Sequence, residues 1–128
     1  MTRVYYFTRT GDSEKIAAAV AAQTGGARFP VTDGRRWKGP VGFLRGGYYA
    51  SAKKSLPAAY EKPQPGDVIY LCFPVWAGGL PPAVRAFTEE VGRGRITAVA
   101  SSKGSGLGDR DGFLRVVDVV GPDKTVVL

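Results

Sequence analysis

Tyr6-Phe7-Thr8-Arg9-Thr10-Gly11-Asp12-Ser13-Glu14-Lys15-Ile16-Ala17 decides how this chain is read. Its first residues close a β-branched and aromatic run, Val4 to Thr8, with the composition of a buried strand. The chain then turns at Gly11 and enters Ser13 to Thr24, where Ile16, Val20 and several alanines recur at the three- and four-residue spacing of a helix. A strand, a glycine turn and a helix N-terminus in direct succession suit an anion. Successive N–H groups converge, the helix dipole favours negative charge, and glycine admits close backbone approach. Neither GxxxxGK[ST] nor GxGxxG follows this strand, so those two nucleotide loops are excluded. Capping of the helix by Asp12 or Ser13 is the simpler explanation of the same residues.

Outward from this stretch, Gly25-Gly26 ends the helix and Ala27 to Val31 reads as a second short strand. The opening is therefore a βαβ unit, with a right-handed crossover expected. Residues 32–66 are punctuated by Gly and Pro, and a helix is expected from about Phe43 to Lys54. Asp67 to Phe73 is the most apolar run and predicts a central parallel strand buried on both faces. Pro81-Pro82 opens a helix to about Val91, and Arg95 to Ala100 is the next strand. A helix is expected over Asp111 to Val120, although its valines disfavour it, and a final strand over Lys124 to Leu128. This alternation predicts a single α/β domain over residues 1–128: a doubly wound, mostly parallel five-stranded sheet with helices on both faces. Ligands in such sheets bind beyond the carboxyl ends of the strands, which points to the loops after the first, third and fourth strands.

Composition narrows the chemistry. The 128 residues are 44% hydrophobic and 23% charged, ordinary for a soluble globular domain. No apolar run is long enough to span a bilayer and no secretory signal is visible, so the expectation is a cytoplasmic protein without a membrane partner. The absence of histidine removes Ser-His-Asp and Cys-His nucleophiles and imidazole zinc sites, and the lone Cys72 removes thiolate clusters. No metal site and no catalytic side chain is assigned; a bound cofactor would carry any reaction. The net charge is +7, and Gly34 to Tyr60 holds six basic residues and no acid. Trp37, Tyr48, Tyr49 and Tyr60 are interleaved with these, but no nucleic-acid motif accompanies them, and a solvated basic face is the preferred reading over nucleic acid.

The loop Thr8 to Ser13 resembles the phosphate loop of the flavodoxin family, a T/S-x-T-G-x-T/S motif after a strand ending in aromatic residues, and Glu14-Lys15-Ile16-Ala17 continues the pattern. Phe73-Pro74-Val75-Trp76-Ala77-Gly78-Gly79-Leu80-Pro81-Pro82 is similar to the family segment that sets an aromatic ring beside the isoalloxazine, and Ala83 to Phe87 resembles the helix that follows. Ser101-Ser102-Lys103-Gly104-Ser105-Gly106-Leu107-Gly108 occupies the position of the remaining flavin loop. The resemblance covers essentially the whole chain, with Trp37 to Lys54 its loosest part. It implies strand order 2-1-3-4-5 and FMN as cofactor, its phosphate held by Thr8, Arg9, Thr10, Gly11 and Ser13 with Asp12 alongside. Pro74, Val75, Trp76, Ala77 and Gly78 would meet the ring, with Trp76 stacking on it, and Ser101, Ser102, Lys103 and Gly104 would close the site. The implied function is electron transfer through bound FMN, as a carrier or a small FMN-dependent reductase, to a redox protein or small-molecule acceptor. The alternative is a flavodoxin-fold interaction module without FMN.

The chain departs from the family in several places. Asp12 replaces the usual asparagine and repels a phosphate, which Arg9 offsets. The third loop has no aromatic residue, which opens one face of the ring. Carriers of the family are acidic, whereas this chain is basic, implying less negative flavin potentials, with Lys103 contributing, and an acidic partner. The customary C-terminal helix is missing after the expected last strand, so a bare apolar sheet face and a homodimer or tight partner are expected.

Overall fold

A computed structural model describes residues 1–33, 48, 52, 55–104, 106–121 and 125–128. Five strands form one sheet: β1 (Thr2–Tyr6), β2 (Ala27–Pro30), β3 (Val68–Pro74), β4 (Ile96–Ser102) and β5 (Arg115–Val120). Their order is β2-β1-β3-β4-β5 and every pairing is parallel. Two helices are described, α1 (Asp12–Thr24) and α2 (Pro82–Val91), with a 3₁₀ turn at Arg93–Arg95. The expected fold class is thus the observed one. Of the helix expected over Phe43 to Lys54, only Tyr48 and Ala52 are described; Tyr48 is helical and the Ala52 N–H donates to its carbonyl at 2.9 Å.

The central strands bury both faces, as their composition requires. Tyr5, Ile69, Leu71, Phe73, Ile96, Ala98 and Ala100 pack with Val84 and Phe87 of α2. Val4, Cys72 and Val99 point the other way, towards Ile16, Ala17 and Val20 of α1. Alternation between faces follows the two-residue period of a strand. Cys72 is fully buried on the α1 side, and desolvation pushes its thiol up to about 12, which makes it an unreactive core residue. At the amino ends of β1 and β3 the buried Arg3 donates from Nε to Asp67 at 2.7 Å, and the N-terminal amine donates to the same carboxylate at 3.0 Å. This cluster lies at the end of the sheet opposite the loops of interest.

The last third departs from expectation. Asp111 to Val120 is not helical, and β5 is built from its second half. Residues 125–128, where the final strand was expected, form no strand. The cause is visible in β5 itself: Val117 and Val119 are buried while Asp118 and Val120 are exposed, a two-residue alternation of β-branched residues. The connection from β4 to β5, residues 103–114, carries no helix among the described residues. Leu107 is buried in its stead against the α2-side core, with Phe113 packed on the same cluster. On the α1 side Val126 is buried beside Val117 and Val119, and the Gln23 side-chain amide donates to its carbonyl at 3.0 Å. Val126 thus covers part of the face expected to be bare.

Candidate functional site

The first loop leaves β1 at Tyr6 and reaches α1 through Gly11, whose φ of 96° is a left-handed conformation that a residue with a side chain adopts only with strain. Gly11 is the N-cap, so neither Asp12 nor Ser13 caps the helix; Asp12 is its first residue. A glycine cap has no side chain to satisfy the N–H groups of the first turn, and these remain directed to whatever lies beyond the helix end. Thr8 Oγ1 accepts the Gly11 N–H at 2.8 Å and shapes the turn from within. Ser13 is 1% exposed, and its hydroxyl has no partner among the described residues. A buried hydroxyl without a partner costs about 1–3 kcal/mol.

The second loop turns tightly after β3. Trp76 and Gly79 exchange backbone hydrogen bonds at 3.1 and 2.8 Å, and both intervening residues have positive φ, 50° at Ala77 and 77° at Gly78. For Ala77 that conformation costs roughly 1–2 kcal/mol, held by the paired bonds on either side. Trp76 is 8% exposed and meets Phe7 edge-to-face at 5.6 Å. Its indole is therefore part of the core as well as of the loop. The third loop continues β4: the Val75 N–H donates to the Ser101 carbonyl at 2.9 Å, and Ser102 Oγ accepts the Gly106 N–H at 3.0 Å.

These loops enclose a cavity of about 620 Å³ at the carboxyl ends of β1, β3 and β4. Thr8, Arg9, Thr10, Asp12 and Ser13 line it from the first loop, and Pro74, Val75, Trp76, Ala77 and Gly78 from the second. Ser101, Ser102, Lys103 and Gly104 complete the wall. All the residues singled out from sequence converge here except Gly11, which sets the helix cap behind the wall. Trp76 forms a wall packed on Phe7, and the stacking role expected of it has only the cavity side of the indole available. The lining carries Arg9 and Lys103 against Asp12, a positive balance suited to an anionic ligand.

The sequence reading missed the contacts that brace these loops. The Gly108 N–H donates to the Gly78 carbonyl at 2.8 Å, and the next residue, Asp109, is held by Arg85 and Arg93. Their shared grip, led by the hydrogen bond from Arg93, lowers the Asp109 carboxyl to about 2. The signal available was an acid directly after a glycine-rich loop in an arginine-rich chain.

No protein-family model matches this chain, and no curated protein matches it. Solved structures do. A flavoprotein from Lactobacillus acidophilus, solved in complex with FMN, superposes with a TM-score of 0.67 at 15% identity, covering 95% of this chain and 93% of that one. A Bacteroides uniformis protein described as a flavoprotein gives 0.70 at 20% identity over 96% of this chain and 92% of that one. A Bacteroides eggerthii protein described in the same way gives 0.66 at 18% identity, with 98% and 89% covered. The fold of this chain is accordingly flavodoxin-like, the fold that these flavoproteins share with it. Among the described residues no helix is long and apolar enough to cross a membrane.

Proposed function

We propose that this chain binds FMN in the cavity between the three loops and works as an FMN-dependent redox protein. The observation that carries this reading is the buried Ser13 hydroxyl, unpartnered beside a glycine-capped helix N-terminus in a positively balanced cavity. A phosphate would satisfy that hydroxyl and the uncapped N–H groups together, with the positive charge of Arg9 on the same wall. The structurally similar flavoprotein from Lactobacillus acidophilus, solved in complex with FMN, supports the choice of ligand. Thr8, Arg9, Thr10, Gly11 and Ser13 would hold the phosphate end, and the walls at Pro74 to Gly78 and Ser101 to Gly104 would hold the ring. When bound, FMN supplies the exchange of electrons; the chain's own residues bind it, orient it and set the field around it.

The third loop has no aromatic residue, and a ring face left uncovered on that side would be accessible to a small-molecule acceptor or a redox protein. With a net charge of +7, an acidic partner is favoured. Carrier and small reductase are both served by this geometry. The second reading, an interaction module without FMN, draws on Asp12, whose carboxylate lines the same wall as the phosphate cradle. Titration of the purified protein with FMN and with riboflavin separates the two. The phosphate cradle predicts FMN binding tighter than riboflavin by at least about tenfold, since hydrogen bonds to a charged group contribute about 1.5–3 kcal/mol. Equal affinities would remove the phosphate from the account, and no binding of either would favour the interaction module.

A further inference from the structure

Two adjacent strands joined in parallel are ordinarily braced by a crossover helix, yet residues 103–114 pass from β4 to β5 with none among the described residues. The brace is electrostatic instead. Asp109 Oδ1 accepts Arg93 Nη1 at 2.9 Å, and Oδ2 accepts Arg93 Nη2 at 3.0 Å and Arg85 Nη2 at 2.9 Å. Arg93 also donates to the Asp111 carbonyl at 2.9 Å and lies over the Phe113 ring at 4.7 Å. Arg85 is 8% exposed on α2, the helix that continues directly from the second loop. A bidentate guanidinium–carboxylate pair of this kind fixes direction as well as distance.

The residue before Asp109 makes the contact that matters for the cavity. The Gly108 N–H reaches the Gly78 carbonyl at 2.8 Å, and a Cβ on residue 108 would sit 3.0 Å from that same oxygen. Gly78 belongs to the cavity wall, at the strained turn with Ala77. The path of contact therefore runs from Arg85 and Arg93, through Asp109 and Gly108, to Gly78.

We propose that Asp109 is a positioning residue for the cofactor cavity: clamped by Arg85 and Arg93, it presents the Gly108 N–H to Gly78 and so sets where the second loop stands. The clamp replaces the crossover helix as the part that keeps the second and third loops in register. As a role toward FMN, this rests on the proposed function; as a latch between loops, it does not.

The test uses Asp109→Asn, Gly108→Ala, their double variant, and Asp67→Asn as a control that breaks an ion pair at the other end of the sheet. Asp109→Asn keeps the side-chain shape and one acceptor oxygen for the two guanidinium groups but removes the charge and the second acceptor. Gly108→Ala strains the loop contact with the ion pairs intact. Three quantities are read: hydrogen exchange of the residue 108 amide without ligand, the FMN dissociation constant, and the position of the visible flavin band. Both single variants are expected to speed exchange at residue 108, weaken FMN by about tenfold and shift the band. The double variant is expected to bind FMN within about twofold of the weaker single one, because both act through one contact. Asp67→Asn is expected to lower Tm and leave all three readouts unchanged. Wild-type exchange and wild-type FMN affinity in Asp109→Asn, with Tm lowered as in the control, would overturn the proposal. So would losses that multiply in the double variant. If the wild-type protein binds no FMN, the proposed function fails. Exchange then still decides the latch: protection lost in Asp109→Asn supports it, and protection kept overturns it.

Discussion

Ser13 concentrates the case at the scale of single residues. Its hydroxyl is buried without a partner among the described residues, so Ser13→Ala removes no hydrogen bond described in the ligand-free protein. Thermal melting of the ligand-free variant should therefore match or slightly exceed the wild type, while FMN affinity falls by about tenfold or more. A parallel loss of stability and affinity would instead mark Ser13 as a packing residue. The acids make a second residue-scale prediction. Arg93 and Arg85 hold the Asp109 carboxyl at about 2, against about 4 in an unfolded chain. Asp67 is likewise held well below the carboxylate range, by the Gln64 backbone N–H first and then by Arg3. A lowered folded value adds stability that is complete above the unfolded value and is lost as pH falls through the folded one. Wild-type Tm should thus drop steeply between about pH 4 and about pH 2. The Tm gap between wild type and Asp109→Asn, measured across that window, should close as the pH falls.

At the scale of elements, β5 is where pattern and architecture pulled apart. Strict βα alternation demands a helix between β4 and the last strand, and Asp111 to Val120 was the segment left to supply it. The valines carried the truer information: Val117 and Val119 are buried on one side, with Asp118 and Val120 outward. Val119→Ala should cost about 2 kcal/mol in urea unfolding, while Val120→Ala, at 50% exposure, should stay within about 0.5 kcal/mol. Equal costs would contradict the strand register. Elsewhere local chemistry sufficed. Gly11 marks the turn, Gly25-Gly26 the helix end, Pro81-Pro82 the start of α2, and the apolar run at Asp67 to Phe73 the central strand, observed as Val68–Pro74. The cavity-lining residues were legible because sheet topology places those loops at one edge whatever the details between them. The Arg85–Asp109–Arg93 clamp was not legible, because its partners lie 24 and 16 residues apart and no local period links them.

At the scale of the whole molecule, the net charge of +7 sets a field that favours the more negative, reduced state of a bound flavin. The two-electron potential should accordingly become more negative as salt screens that field, with most of the change complete near 0.15 M, where the Debye length is about 8 Å. A potential that rises with salt would show that the local acids, Asp12 foremost, outweigh the global charge. The same field should speed encounter with an acidic partner at low ionic strength. All of this depends on one event, occupation of the cavity by FMN. The most direct test is a fluorescence-quenching titration of FMN with purified protein, repeated with Gly11→Asp, which puts a carboxylate and a disfavoured backbone conformation at the helix cap. Submicromolar quenching in the wild type that is lost in Gly11→Asp is the predicted result. No quenching in the wild type, or equal quenching in both, would contradict the assignment of this cavity to FMN.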